Sequence, residues 1–148
     1  MAKQAKVLTQ REFVKLLKAV SLTRHPIRNK TMVYFSFYSG ARACEIAHVR
    51  VSDVLSGDGR VLDVVTLKSE QTKGHAAGRL FINKQLQKQL SDYLKAMPML
   101  TQQPDRPLFF TQKVEGFTPQ TVINLFAWLY DDACIPGASS HSGRRTFI

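Results

Sequence analysis

Acidic side chains are scarce in this chain. Eleven Asp and Glu stand against twenty-one Lys and Arg in 148 residues, a formal charge of +10. Such an excess favours a polyanion as partner, because each neutralised phosphate releases counterions. The plainer alternative is a basic surface that only keeps the protein soluble. The cations (Lys3, Lys6, Arg24, Arg28, Lys30, Lys68, Lys73, Arg79) are scattered rather than gathered in a tail, which suits a folded surface better than a disordered arm. Cysteine is scarcer still. Cys44 and Cys134 are far apart and match no metal-ligand spacing, so a disulfide scaffold is excluded and a reducing, cytoplasmic setting is expected. Cys44 itself is expected to be a small buried residue. No apolar run reaches membrane-spanning length, and the N-terminal lysines have no apolar stretch behind them to make a signal peptide. Repeats and low-complexity segments are missing as well.

What is present is enough apolar content, 44%, for one domain with a real core. The chain is organised around residues 39–47, SGARACEIA. The apolar stretch before it, residues 31–38, reads as a buried helix, and Gly40 supplies the permissive φ that commonly closes one. A second apolar-periodic segment follows, with Ala41, Ile46 and Val49 turned to a core. Arg42 and Glu45 are three apart and share a helix face. An arginine at the junction of two buried helices needs an anion, which Glu45 or a phosphate could supply.

The flanking segments read in order. Thr9 and Glu12 form a capping box, and Phe13, Leu16, Leu17 and Val20 carry a helix to about Ser21. Pro26 suits the first turn of the second helix, which takes Tyr34, Phe35, Phe37 and Tyr38 inward. Residues 51–54 read as an exit turn. Residues 60–67 and 79–82 read as two strands joined by a polar, Gly-bearing loop, hence a β-hairpin. Leu86, Leu90, Tyr93 and Leu94 mark a helix over 84–97 that Pro98 ends. A loop over 99–107 leads to a short buried extended segment at 108–110. Thr118 and Pro119 start a helix to about Ala133, with Val122, Leu125, Phe126 and Leu129 inward and Trp128 and Tyr130 also packed. Ser140 is a candidate cap for a last helix.

The chain closes on a second arginine cluster, His141-Ser142-Gly143-Arg144-Arg145-Thr146-Phe147. Together the two arginine stretches resemble the signatures of tyrosine recombinases, the phage-integrase family of site-specific DNA recombinases. Gly40-Ala41-Arg42-Ala43-Cys44-Glu45 fits that family's Gly-x-Arg-x-x-Glu box I. His141 to Phe147 fits its His-x-x-Arg box II. Residues 42–54 are especially similar to Cre-type enzymes. The resemblance covers essentially the whole chain and implies an α+β fold, mainly helical, with a small antiparallel sheet at one edge.

The resemblance also implies a chemistry. Charge builds on the non-bridging oxygens when a phosphodiester is attacked, and preorganised cations lower that barrier. Arg42 and Arg144 would hold the scissile phosphate, since the guanidinium fork grips two oxygens and stays charged. His141 would donate a hydrogen bond or move a proton. Lys73, in a Gln71-Thr72-Lys73-Gly74 setting similar to that of the family's hairpin lysine, would protonate the leaving 5′ oxygen, with Lys68 as the fallback. Glu45 would orient the site. Double-stranded DNA and other recombinase protomers are the partners implied; no cofactor, metal or membrane is.

Several features depart from the family pattern. Gly143 stands where box II usually has an apolar residue and should loosen the helix locally, and Arg145 replaces a common histidine. The family's nucleophile is a tyrosine beyond box II, and Tyr34, Tyr38, Tyr93 and Tyr130 all precede it. The expectation is therefore a catalytic domain, residues 1–148, truncated at its C-terminus and without the N-terminal core-binding domain. Its function is either DNA integration and excision through a phosphotyrosine or occupation of recombination sites without cutting.

Overall fold

Thr9 opens the first helix of the computed structural model, which describes residues 4–72, 77–111 and 115–146. The Thr9 hydroxyl accepts the Glu12 N–H at 3.1 Å, and the Glu12 carboxylate accepts the Thr9 N–H at 3.0 Å. This reciprocal cap satisfies donors that a helix start leaves orphaned. Helix α1 (Gln10–Ser21) then buries Phe13, Leu16 and Val20. Helix α2 (Pro26–Ser39) starts on a proline, whose missing N–H costs nothing there, and ends at Gly40 with φ 71°. It is the central helix. Met32, Val33 and Phe35 are fully buried, and Phe37 packs on Phe13 with ring centroids 4.8 Å apart. Tyr34 and Tyr38 are only half-buried.

The left-handed Gly40 redirects the chain into α3 (Ala43–His48), with Ala41, Ile46 and Val49 in the core as expected. Residues 51–54 form a short helix rather than a plain turn, α4 (Val51–Val54), because the Asp53 carboxylate accepts the Arg50 N–H at 2.8 Å. Strand β1 (Val64–Leu67) pairs antiparallel with β2 (Gly78–Phe81), Val64 opposite Phe81 and Leu67 opposite Gly78. The first strand is shorter than expected, since Val61 bridges to Leu55 instead of to the hairpin partner. Val65, Leu67 and Leu80 are buried, and Phe81 faces outward.

Asn83 caps α5 (Lys84–Ala96), which presents Leu86, Leu90, Tyr93 and Leu94 to the core. Pro98 ends this helix and also opens another, α6 (Pro98–Thr101), inside the stretch expected to be loop. Leu108 and Phe109 are buried, and the Leu108 N–H donates to the Val49 carbonyl at 2.9 Å. Thr118 caps α7 (Pro119–Asp132), which packs on α1 and α3 through Val122, Phe126, Leu129 and Tyr130. Trp128, expected to pack, is 51% exposed, because it stands off the stripe those four residues define. The last helix, α8 (Ser142–Thr146), packs on α2. Its entry is tied by Ser142, whose hydroxyl accepts the Ser139 N–H at 3.0 Å, and Ser140 is buried rather than capping.

The N-terminal segment holds that entry in place. The Lys6 N–H donates to the Gly137 carbonyl at 3.1 Å and the Leu8 N–H to the Thr146 hydroxyl at 3.0 Å. The architecture is α+β, mainly helical with a two-stranded antiparallel sheet. Among the described residues, no helix is long and apolar enough to cross a membrane.

Candidate functional site

Arg42 is the N-cap of α3, in extended conformation, with its side chain exposed. Glu45 is buried, and its carboxylate accepts the Arg42 backbone N–H at 2.8 Å. The carboxylate therefore serves the main chain of Arg42 and not its charge. Among the described residues, Arg42 forms no ion pair. Of the two anions open to it in the sequence, Glu45 acts as a structural brace, and the guanidinium is left facing solvent.

Arg144 arrives from the other end of the chain. Its Nη1 donates to the carbonyl of Gly40 at 3.0 Å, across 104 positions of sequence. A carbonyl is a neutral acceptor, so Arg144 keeps its full charge while its direction is set. Among the described residues it too lacks a carboxylate partner. The two arginine stretches thus meet at the turn that Gly40 makes. That turn bends because only a left-handed residue closes α2 there.

Gly143 makes the meeting possible. A Cβ built at this position would lie 2.0 Å from the Ser36 Oγ and 2.8 Å from the Ser36 carbonyl carbon. Beside the expectation that Gly143 loosens α8 stands a second reason for it: α8 presses onto the α2 backbone where no side chain fits. Arg145 does not add to the exposed cations without a contact, because its Nη1 donates to the Gln4 side-chain oxygen. His141 is exposed; its N–H donates to the Ser139 hydroxyl at 3.3 Å and its carbonyl accepts the Arg145 N–H at 3.0 Å. One turn of α8 thus carries both His141 at its entry and Arg144.

Lys73 lies outside the described residues. The chain that leads into it is held by Gln71, a buried carboxamide. Gln71 Nε2 donates to the His48 carbonyl at 2.9 Å and to the Asp53 carboxylate at 2.8 Å, while its Oε1 accepts the Lys68 N–H at 2.8 Å. The hairpin is thereby hooked onto the end of α3. Lys68 is exposed where β1 ends. Gln71 was legible only as part of the setting around Lys73; its role as a hook depends on partners 18 and 23 residues away.

Three of the four tyrosines are poorly suited to attack a phosphate. Burial pushes the Tyr93 and Tyr130 phenols well above the ordinary range, and burial and the neighbouring Tyr38 raise Tyr34. Tyr93 further spends its hydroxyl on the Leu108 carbonyl at 2.8 Å. Among the described residues, no group of three or more His, Cys, Asp or Glu stands together to hold a metal.

The profile of the phage integrase family matches residues 6–148. This chain belongs to the phage integrase family. Its fold is similar to that of XerA recombinase, at 22% identity and a TM-score of 0.76 over 99% of this chain and 50% of that one. It is also similar to the integrase of mycobacterium phage Brujita, at 18% identity and 0.65 over 99% of this chain and 44% of that one. A third likeness is to a lambda integrase dimer bound to a COC′ core site, at 14% identity and 0.70 over 99% of this chain and 41% of that one. The chain therefore spans half or less of the length of these solved recombinases. No curated protein matches the sequence. The shared architecture is the tyrosine-recombinase catalytic fold, as the sequence led one to expect.

Proposed function

We propose that this domain grips a phosphodiester of double-stranded DNA between Arg42 and Arg144, as the catalytic part of a site-specific recombinase. One observation carries the reading. Two exposed arginines from stretches far apart in the sequence converge on the Gly40 turn, and neither is neutralised by a carboxylate among the described residues. Such a pair attracts an anion whose oxygens it can fork, and a net charge of +10 favours a polyanionic one. Arg42 and Arg144 stabilise charge on the non-bridging oxygens, His141 donates to the phosphate or moves a proton, and Lys73 protonates the departing 5′ oxygen. Glu45 braces Arg42 from behind. Strand cleavage and rejoining then serve the integration or excision of a mobile element, in the cytoplasm of a bacterium and together with other protomers.

A second reading, occupation of DNA without cutting by this segment, is favoured by the burial of Tyr93 and Tyr130 and the raised Tyr34 phenol. It needs the same phosphate grip and differs only in the covalent step. Binding to a short DNA duplex is measured against salt for the chain and for the Arg42→Ala/Arg144→Ala double variant. Log affinity should fall linearly with log salt, and the double variant should lose about 0.9 from that slope, the one phosphate that the pair shares. An unchanged slope would refute the grip. A nicked duplex incubated with the chain and then denatured decides between the two readings: a covalent adduct supports cutting, its lack supports occupation.

A further inference from the structure

One cluster of donor atoms takes no part in the phosphate grip. Cys44 and His48 are four apart on α3, and the Cys44 Sγ lies 3.4 Å from the His48 Nδ1. Residues so spaced share one face of a helix, which is the arrangement by which two side chains of one helix chelate a metal. The separation agrees with that use. Zinc bonded to sulfur and to imidazole nitrogen at ordinary lengths and a tetrahedral angle sets the two donors about 3.5 Å apart. The main-chain carbonyl of Gln71 lies 3.8 Å from the same sulfur and adds an oxygen on the hairpin side. His48 is exposed and Cys44 half-buried, so an ion reaches both from solvent. His48 also lines a cavity of about 290 Å³ with Arg50 and Glu70, whose opposite charges offset each other beside the site.

We propose that Cys44 and His48 form a binding site for a thiophilic divalent ion of the zinc class. The ion takes the place of the proton that sulfur and nitrogen share. Cys44 gives up its thiol proton to solvent and binds as thiolate, and His48 binds as neutral imidazole through Nδ1. No redox change is involved. Water and the Gln71 carbonyl complete the coordination around the two side chains. The site is consequently open and reversible rather than a structural zinc centre. It was hidden in the sequence because Cys44 has no second cysteine near it and the helix is short.

Cobalt(II), added to the reduced chain without DNA, is the probe, so the site is tested independently of the phosphate grip. A near-ultraviolet charge-transfer band from thiolate to cobalt is expected, saturating at a single ion per chain and erased by zinc. Cys44→Ser removes the band, and His48→Gln weakens cobalt binding by about tenfold or more. Cys134→Ser leaves it intact. Far-ultraviolet circular dichroism of each variant checks that the fold is kept. A band that survives Cys44→Ser, a band lost in Cys134→Ser, or no band in the unaltered chain would each overturn the site.

Discussion

Arg144 Nη1 bonds the Gly40 carbonyl at 3.0 Å, and through that bond the end of the chain is registered against the turn that precedes Arg42. The bond uses one N–H of the five that a guanidinium carries, so most of the fork remains for a ligand. Arg144→Lys keeps the charge but loses the fork. In DNA binding, the lysine variant should keep the salt slope of the unaltered chain, whereas Arg144→Ala should lower it by no more than about 0.9, the one phosphate it shares with Arg42. Both should melt close to the unaltered chain, because the side chain is exposed. A large loss of stability in Arg144→Ala would mean that the arginine is a structural strut.

Gly143→Ala tests the close approach of α8 to α2. The added methyl meets the Ser36 Oγ and the α2 backbone well inside contact distance. Overpacking of this kind costs about 1–3 kcal/mol, and the backbone atom cannot rotate away. Urea unfolding should show that loss. Adding Ser36→Gly, which removes the nearest atoms but not the main chain, should recover part of it. An unchanged midpoint for Gly143→Ala would show that α8 is free to move off.

Gln71→Leu tests the hook between the hairpin and α3. The substitution removes the Gln71 donor from the His48 carbonyl and from the Asp53 carboxylate, which keeps the Arg50 N–H, a loss of about 1–3 kcal/mol. Hydrogen exchange should quicken over β1 and β2 more than over α1 or α5. Equal protection in Gln71→Leu and the unaltered chain would separate the hairpin's order from Gln71.

Much of this fold was legible because its signals are local. The Thr9–Glu12 cap, Pro26, Gly40 and the Thr118–Pro119 pair each decide a helix end through neighbours within four residues. Trp128 was misread because its composition says core while its angle on α7 says solvent. Gly143 was only partly legible, for a different reason. Its need comes from Ser36, a residue 107 positions away that no pattern in α8 reveals. The site residues Arg42, Glu45 and Arg144 could be named from motif, but that Glu45 braces the Arg42 backbone N–H is a matter of geometry alone.

Acid should weaken the start of α1. The Glu12 carboxyl is held below its usual range, first by the Thr9 backbone N–H and, more weakly, by Lys6. A carboxyl depressed in the folded state contributes stability that is present above its unfolded value and is lost as pH falls through its folded one. Melting temperature should therefore fall on the acid side of the ordinary carboxylate range, and Glu12→Gln should flatten that limb. Thr9→Ala, which removes the other half of the cap, should cost about 1 kcal/mol at neutral pH. An acid limb of equal steepness in Glu12→Gln would place the titrating group elsewhere.

Two buried phenols separate hydrogen bonding from mere burial. Tyr93 and Tyr130 are 1% and 2% exposed; Tyr93 donates to the Leu108 carbonyl at 2.8 Å, while the Tyr130 hydroxyl has no partner among the described residues. A buried hydroxyl without a partner has been stripped of water for nothing, so Tyr130→Phe should leave stability unchanged or raise it by about 1 kcal/mol. Tyr93→Phe should lower it by about 1 kcal/mol, since it orphans the Leu108 carbonyl. Burial raises both pKa values, so each ring contributes stability that is intact below the unfolded tyrosine value and is lost as pH rises through and beyond it. In an alkaline titration followed by phenolate absorbance, two of the four tyrosines should ionise only together with unfolding. The Tyr130→Phe chain should show one fewer in that late step. If Tyr130 instead ionises early with the fold intact, its ring is open to solvent, and its exclusion as a nucleophile falls with it.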